Sequence, residues 1–526
     1  MKTIGWTLLL TLLGMFALGL GGCSNGTDDD DDSADDDDTI DDDSTDDDAA
    51  DDDSVDDDFI DDDTTPDDDS ADDDSVDDDT MDDDTADDDS VDDDTIDDDT
   101  ADDDSTDDDT ADDDTTDDDS ADDDVVLPEF IYGTSQGSMS VAVEHFPEMG
   151  MRWFRRPVTL RALKPTVTDP ELTLEDLMAN PSLIDDFAAE ANWTSVDADF
   201  NTLLNAGLMP FPSTGYGWVG TLPDLNGETA TPDLLGKEHY LAQQYRYVRA
   251  VVERYDGDGY LDAPGIVLKV WQIENELNQA MLTTLYGWRE PSGFAGLTSA
   301  WADWDFLTDL LATINQAAHD ADPEAITVQN LHTDIHPNFS TLLGQPSWLE
   351  AAELWKDLMD VVGFDAYPNY YDAEPLRGTV VGERAATLAE LTGKQTMIVE
   401  VGYPTGPAEL GYTQELQAQF IDDAFHSAYE AGIGGFLFFG LATDETHSVE
   451  ITEDDIAALD FVGPHFTDGD VLQLLIWGLT NWDYATDPHF LEVLQSVEEY
   501  WGVIMPDGTH KPGFVTLAAI GDELQP

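Results

Sequence analysis

Short apolar runs alternate with longer amphipathic stretches from about residue 125 to the end of the chain. The apolar runs have strand length and occur at 130–134, 151–158, 207–213, 266–273, 325–330, 360–364, 396–400 and 432–439. Between them, stretches such as 239–255, 383–393 and 413–432 carry apolar residues three to four positions apart, which is typical of amphipathic helices. Eight strands that alternate with helices predict parallel pairing and an α/β fold of the (β/α)8 TIM-barrel type for residues 125–526.

The first residues of the chain have the pattern of a targeting segment. Lys2 precedes an apolar run that is too short and too rich in glycine for a membrane-spanning helix. The run ends in Leu-Gly-Gly before Cys23, which resembles the bacterial lipobox. Residues 1–22 are therefore expected to be a lipoprotein signal peptide. Cys23 would carry a lipid that anchors the exported protein to the bacterial outer membrane or cell surface; an ordinary secretory signal cleaved nearby is the alternative.

Residues 23–124 form a second region, in which three aspartates and two other residues repeat, as in DDDTA and DDDSV. So dense a like-charge run has too little apolar surface to fold, so we expect a disordered, extended Asp-rich linker. An array of calcium sites is the alternative, but such repeats need glycines for tight turns, and residues 28–124 contain none. Loose binding of divalent cations is expected with either interpretation.

Charge and cysteine content exclude several classes of function. The run 28–124 holds 60 of the 122 acidic residues, so the remaining 62 still outnumber the 17 basic residues of the chain. This balance argues against nucleic acid or an anionic membrane surface as partners. Cys23 is the only cysteine, which excludes disulfides and thiolate metal sites. The chain has no phosphate-binding glycine motif and no HxH or HExxH, so neither a cofactor nor a metal is predicted.

Two glutamates follow apolar strands. The fourth predicted strand leads into WQIENELN, residues 271–278, and the seventh, TMIVE, ends at Glu400. The carboxyl ends of the strands of a barrel share one rim, and strands four and seven lie across it from each other. Glu276 and Glu400 are thus expected to face one another across a cleft. Two facing carboxylates suit retaining glycoside hydrolysis, in which one carboxyl donates a proton and the other attacks the sugar.

Several segments resemble one group of enzymes, the clan A glycoside hydrolases. The matching segments are Asn275-Glu276-Leu277-Asn278, MIVEVGYP at 397–404, VVGFDAYP at 361–368, GMRWFRRPVTLRALKP at 150–165 and YWGVIMPDGTHKPGF at 500–514. The resemblance covers most of the folded region and implies a TIM barrel that hydrolyses O-glycosidic bonds of carbohydrates.

The resemblance also implies a role for each matching residue. Glu276 would be the acid/base and Glu400 the nucleophile, while Asn275 would contact the sugar 2-hydroxyl. Tyr367 would lie beside the nucleophile and Arg155 beneath it. Arg155 is then expected to keep Glu400 ionised, whereas a less polar setting would raise the pKa of Glu276 enough to hold its proton.

The chain departs from the pattern of these enzymes at two places. Leu277 replaces their proline, and the end of strand eight, FLFFGLATDE, lacks the tryptophan that commonly lies under the sugar. The candidates to replace it are Phe438, Phe439, Trp477 and Trp482. Regular alternation would also put Glu274 on the same strand face as Glu276. A bulge at the strand end is therefore expected, with Glu274 a structural carboxylate bonded to the backbone or to an arginine.

Further contacts to sugar are predicted near the strand ends. His332, just past the fifth strand, is a candidate for a sugar hydroxyl contact or for a structural histidine. Aromatic residues in the loops can stack on sugar faces or simply pack; Trp218 and Trp288 are the leading candidates, followed by Tyr216, Tyr286, Tyr370 and Tyr371.

Together these observations predict a retaining glycosidase that acts outside the cell on a β-linked polysaccharide or oligosaccharide. Transglycosylation would use the same two glutamates. A barrel that binds glycans without cleaving them, or a structural surface lipoprotein, is the alternative from another class of function.

Overall fold

The structure is a computed structural model that describes residues 125–164, 172–214, 230–280, 289, 298–334, 346–370, 372–443, 449–459 and 487–525. The predicted signal peptide, Cys23 and the Asp-rich linker lie outside these residues. So do several of the predicted sugar contacts, namely Trp218, Trp288, Tyr216, Tyr286, Tyr371, Trp477 and Trp482.

Eight parallel strands form a closed barrel in the order of the chain, and strand eight pairs with strand one. The predicted TIM barrel is confirmed. The strands are β1 Ile131–Thr134, β2 Trp153–Pro157, β3 Met209–Ser213, β4 Val270–Asn275, β5 Ile326–His332, β6 Val361–Ala366, β7 Thr396–Val401 and β8 Gly435–Phe438.

Helices follow the strands and cover the outside of the barrel, as crossover connections between parallel strands require. They are α1 Met139–Met149, α2 Leu160–Leu163, α3 Leu174–Ala179, α4 Ser182–Glu190, α5 Thr194–Asn205, α6 Pro232–Leu235, α7 Lys237–Arg254, α8 Trp304–Ala321, α9 Trp348–Trp355, α10 Gly378–Thr392, α11 Gln414–Glu430, α12 Pro488–Ser496 and α13 Pro512–Leu524. Side chains cap several helix starts; Asp303 accepts from the first turn of α8, and Thr413 does so for α11. Among the described residues, no helix is long and apolar enough to cross a bilayer.

The core has two layers. One apolar cluster takes a side chain from every strand and fills the barrel interior: Ile131, Trp153, Phe211, Val270, Val328, Val361, Met397, Val399 and Leu437. A larger cluster lies between strands and helices and includes Trp271, Ile273 and Trp355. The strands are therefore apolar on both faces, which is why they read as continuous apolar runs in the sequence.

The fourth strand contains the expected bulge. Opposite β5, the register of β4 runs from Gln272 to Glu274 without a partner for Ile273. One extra residue in a strand reverses which face the following side chains occupy. A similar shift occurs in β7, where Asp365 of β6 pairs with Glu400 directly after Phe364 pairs with Ile398.

Candidate active site

The carboxyl ends of the strands bring three carboxylates together. Glu276 follows β4, Asp365 lies in β6 and Glu400 lies in β7. One oxygen of each lies within 4.8 Å of the others, and all three residues are buried. We call these residues the carboxylate trio. The predicted meeting of Glu276 and Glu400 is thus present in the structure, while Asp365 was not predicted as part of the site.

Glu276 is held by the turn that ends β4. Its backbone is left-handed, with φ 45° and ψ 44°, and a short 3₁₀ turn, Leu277–Gln279, follows. The Gln279 Nε2 donates to Glu276 Oε2 at 2.5 Å, and His332 Nδ1 lies 2.8 Å from Oε1. Because non-glycine residues adopt this backbone region rarely, the conformation is maintained by its surroundings. It directs the carboxylate into the barrel mouth.

Asn278 fixes the position of His332 relative to this turn. The Asn278 side chain donates to the His332 carbonyl at 2.9 Å and accepts from the His332 amide at 3.0 Å. This reciprocal pair ties the turn after β4 to the end of β5. His332 was predicted either to contact a sugar hydroxyl or to be a structural histidine. In the structure its ring contacts Glu276 directly.

Glu400 has a different set of partners. Arg155 from β2 donates to Glu400 Oε1 through Nη1, and the Tyr367 hydroxyl donates to Oε2 at 2.6 Å. The same guanidinium donates through Nη2 to Asn275 Oδ1 at 2.6 Å. Arg155 and Tyr367 are therefore both hydrogen-bonded to Glu400, and Arg155 connects the two glutamate-bearing strands.

Asn275 is oriented by three donors. Its Oδ1 accepts from Arg155, from Gln272 Nε2 at 3.0 Å and from Asn330 Nδ2 at 2.9 Å. With the oxygen so occupied, the amide nitrogen faces Glu276 Oε2 at 3.4 Å. The side chain thus presents N–H groups to the mouth, which is the polarity needed to contact an accepting sugar hydroxyl.

Burial and the charges of Glu400 and Glu276 raise the pKa of Asp365 well above its usual range. Its Oδ2 accepts from Asn330 Nδ2 at 2.5 Å. The neutral form of Asp365 is therefore favoured relative to that of an exposed aspartate. The sequence carried a signal for this residue, because Asp365 lies two positions before Tyr367 and so on the same strand face.

The pKa shifts of the two glutamates differ from the expectation. Burial acts to raise the pKa of Glu276, but the charge of His332 and its hydrogen bond outweigh burial, so the pKa is lowered. For Glu400, burial raises the pKa, the Glu276 charge adds to this, and Arg155 and Tyr367 offset it only in part. The expected order, with Glu276 the more easily protonated glutamate, is wrong because Glu276 lies among polar partners and not in a less polar setting.

His332 shares a proton with Glu276. Burial acts to lower the pKa of His332, yet the charge and hydrogen bond of Glu276 raise it above its ordinary value. Two groups in such close contact titrate as a pair. The Glu276–His332 pair is therefore one group in the barrel mouth that can exchange a proton.

Glu274 faces away from the trio. Its Oε1 accepts from the Asn275 amide at 2.9 Å and forms an ion pair with Arg289 at 3.3 Å. Arg289 also donates to the Asn275 carbonyl at 2.7 Å. Glu274 thus has both partners expected of a structural carboxylate, the backbone and an arginine. Arg289 lies far from any predicted strand, and nothing in the sequence marked it.

Trp501 packs against Tyr367, a hydrogen-bond partner of Glu400, and against Phe439. Its ring centre is 5.1 Å from that of Tyr367 and 5.8 Å from that of Phe439, both edge-on. A Cβ on Gly402 would lie 2.6 Å from the Trp501 ring, so only glycine leaves room for it. Of the predicted replacements, Phe439 packs in this group, and Phe438 is fully buried in the outer core. Trp501 lies within the matching segment 500–514, but it was not predicted as a site residue.

Beside Trp501, Tyr370 donates its hydroxyl to Glu498. Burial raises the pKa of Glu498 to about 8. Tyr370 also packs against Trp501 with ring centres 5.6 Å apart. Of the aromatic residues predicted to line the cleft, Tyr370 thus joins this aromatic group next to Tyr367.

The trio also has the spacing of metal ligands, since three carboxylate oxygens lie within 4.8 Å of each other. Each residue, however, already accepts from a protein donor: Arg155 to Glu400, His332 to Glu276 and Asn330 to Asp365. Protein partners, among them the Arg155 guanidinium, thus already contact the carboxylates that a cation would bind.

Comparison with known proteins gives matches of fold. No known family profile and no curated protein sequence matches this chain. Solved structures similar to it include glycosidases. A glucosidase from Croceicoccus marinus is 14% identical, with 75% of this chain and 67% of that chain covered and a TM-score of 0.40. The GH53 catalytic domain from Ignisphaera aggregans is 15% identical, with coverages of 74% and 96% and a TM-score of 0.41.

A third similar structure is a GH10 endoxylanase from a sugarcane soil metagenome, at 13% identity. It covers 75% of this chain and 97% of its own, with a TM-score of 0.42. Similarity at this level bears on the fold alone, and the barrel is established by the strand pairing itself. The chemistry of this chain is therefore argued from its own residues.

Proposed function

We propose that this protein is a retaining glycoside hydrolase in which Glu400 is the nucleophile and Glu276 the acid/base. The observation that carries the proposal is the close approach of two differently partnered glutamates, with oxygens within 4.8 Å. Retaining enzymes hold their carboxyl groups ~5–5.5 Å apart, whereas inverting enzymes need ~6.5–9.5 Å to admit a water. The spacing supports direct attack on the sugar.

The partners of Glu400 support its role as the nucleophile. A nucleophile must be ionised and have an oxygen aimed at the anomeric carbon. Arg155 and Tyr367 donate to separate oxygens of Glu400 and fix its orientation. Burial raises the pKa of Glu400 and the charge of Arg155 opposes this shift, while the raised pKa of Asp365 favours its neutral form beside Glu400. Arg155 is the only cation in contact with Glu400 among the described ion pairs.

The partners of Glu276 support its role as the acid and base. In the first step a proton passes from the Glu276–His332 pair to the leaving oxygen as the bond to Glu400 forms. In the second step the same pair takes a proton from water as water displaces Glu400. His332 is the positioning residue of this pair, since its Nδ1 lies 2.8 Å from Glu276 Oε1 and orients that carboxyl group.

The resemblance of the strand ends supports a β-linked polysaccharide or oligosaccharide as substrate. Tyr367, Phe439 and Trp501 pack together beside Glu400 as buried aromatic residues, and this group supports the wall of the mouth against which a sugar would lie. Location outside the cell is supported by the apolar N-terminal run and the lipobox-like Leu-Gly-Gly-Cys23. Replacing Cys23 by Ala is expected to release the protein from the membrane fraction; retention there would contradict the anchor.

The full chain, screened on a panel of β-linked polysaccharides with product analysis, tests the proposal. We expect sugar release with retained anomeric configuration, abolished in Glu400→Gln and preserved in Glu274→Gln. Products longer than the substrate would identify transglycosylation by the same residues. Binding to a glycan with equal affinity in wild type and Glu400→Gln, and no cleavage of any substrate, would instead identify a binding protein.

A further inference from the structure

A second cluster of side chains lies on the outside of the barrel. His145 and Glu148 are three residues apart on α1, and His510 ends the turn that precedes α13. Residues three apart on a helix share a face. One ligand atom from each of the three residues lies within 4.8 Å of the others. Two imidazoles and a carboxylate are thus gathered at one point of the surface.

The spacing of the two imidazoles is that of metal ligands. His510 Nε2 and His145 Nδ1 are 3.4 Å apart. Hydrogen bonds from N–H donors have typical lengths of ~2.7–3.2 Å. Two nitrogens bound to one tetrahedral Zn²⁺ at ~2.0–2.1 Å lie roughly 3.3–3.4 Å apart. The observed distance allows a weak hydrogen bond between the two rings and also equals that between two nitrogen ligands of one zinc ion.

The side chains are held in this arrangement by their neighbours. The His510 ring stacks on Phe514, with centres 3.6 Å apart and planes at 16°. The His145 ring meets the same Phe514 edge-on at 6.0 Å. The His510 backbone pairs with Ile504 in an antiparallel bridge. Because packing fixes both rings before any ligand arrives, little side-chain entropy is lost on binding.

We propose that His145, Glu148 and His510 bind one divalent transition-metal ion of the zinc type. Imidazole with carboxylate suits Zn²⁺, whereas Ca²⁺ and Mg²⁺ take oxygen ligands. Three protein ligands leave the fourth position to water. The ion joins the first helix of the barrel to the turn before the last helix, which are 365 residues apart between His145 and His510.

A bound ion would connect α1 to the turn before α13, near the point where the barrel closes. The helices α1 and α13 already touch, since a Cβ on Gly521 would lie 2.0 Å from the Met149 carbonyl oxygen. An ion bound to the folded state and not to the unfolded chain stabilises the fold by mass action. Zinc is thus expected to raise the melting temperature of this protein. The proposal is independent of the chemistry in the barrel mouth.

The test uses the full chain, stripped of metal with a chelator and titrated with Zn²⁺ by calorimetry. Excess Ca²⁺ and Mg²⁺ are present so that the aspartates of residues 28–124 are occupied by hard cations. We expect one tight equivalent of Zn²⁺ in the wild type. His145→Asn and His510→Asn should each weaken it by more than the roughly 10- to 100-fold caused by losing an outer-shell partner.

The matched control is His426→Asn. His426 lies on α11 and pairs with Glu523 at 3.2 Å. Its replacement therefore removes a surface imidazole that does not belong to the cluster of His145, Glu148 and His510. Its titration should equal that of the wild type. Co²⁺ offers a second readout, because a four-coordinate ion absorbs strongly in the visible range, and this absorption should vanish in the double variant His145→Asn/His510→Asn.

An unchanged isotherm in both single histidine variants would overturn the proposal. Should a histidine variant melt below the metal-free wild type, Glu148→Gln takes its place, because this exposed carboxylate can be replaced without disturbing Phe514. Loss of the zinc-dependent rise in melting temperature in Glu148→Gln supports the site. An undiminished rise there would contradict it.

Discussion

The strand-four and strand-seven sides of the barrel mouth carry the same residue type at the same depth, yet the two glutamates differ in their partners. Glu276 contacts a titratable histidine and an amide, and its pKa is lowered. Glu400 contacts a guanidinium and a phenol, and its pKa is raised by burial. The strand-four side can gain and lose a proton, whereas the strand-seven side has donors that only orient its carboxylate.

The largest effect is expected from the strand-seven side. Glu400→Gln removes the attacking oxygen, so kcat should fall by several orders of magnitude for every substrate. In Glu400→Ala, added azide should restore turnover with inverted configuration. Glu274→Gln, two residues before Glu276, is the control and should keep wild-type kcat. Rescue with retention would assign the nucleophile to another residue.

On the strand-four side, Glu276→Gln removes proton donation, which contributes typically ~10²- to 10⁴-fold. The loss should depend on the leaving group, being small in the first step for a nitrophenyl glycoside and large for a natural glycan. Pre-steady-state kinetics on both substrates measure this difference. An equal loss for both would exclude Glu276 as the acid.

His332→Gln is expected to change the pH profile more than the maximum rate. The pKa of His332 is raised above the ordinary histidine value of ~6.5, so the basic limb of the kcat/KM profile should lie above that pH. Glutamine cannot hold the proton, so the limb should move toward the lower range of a glutamic acid. A basic limb that stays in place would show that Glu276 carries the proton alone.

Asp365→Asn should be nearly silent although Asp365 lies within the trio. The raised pKa of Asp365 favours its neutral form, and an amide has the same shape as that form. We expect kcat to stay within about tenfold, roughly 1.4 kcal/mol in the barrier. A loss comparable to that of Glu276→Gln would mean that Asp365 acts as a carboxylate.

The smallest effect concerns stability. The pKa of Glu498 is about 8 in the folded protein and ~4.3 in an unfolded chain, so the folded state binds the proton more tightly between these values. The contribution of Glu498 to the free energy of unfolding therefore falls as pH rises from about 5 to 8. Chemical denaturation should show this slope in the wild type and less of it in Glu498→Gln. Parallel curves would contradict the shift.

The barrel could be predicted because its strands are apolar on both faces and separated by amphipathic helices. The ends of two strands were predicted too early, because polar residues continue these strands. Strand β4 extends to Asn275 and β5 to His332, beyond their predicted ends at 273 and 330. Backbone pairing continues through these positions whatever their side chains, so apolar pattern alone ends the strand too early.

The positions of Glu276 and Glu400 could be predicted because strand ends of a barrel converge. Their electrostatics could not. The lowered pKa of Glu276 depends on Gln279, which lies in the turn after β4, and on His332, which lies in β5. Trp501 reaches the mouth from a segment far along the chain. Such contacts between distant segments leave no periodic signal.

The unpaired residue in β4 also matters for aligning this chain with other barrels. Ile273 has no partner on β5, so the segment from Gln272 to Asn275 is one residue longer than it would be in a regular strand. An alignment that forbids gaps inside strands would be offset by one after Gln272. It would place Glu274 at the position of the asparagine and Asn275 at that of the acid. A single-residue gap within strand four restores the register of Asn275 and Glu276, and the similar shift in β7 requires a second gap before Glu400.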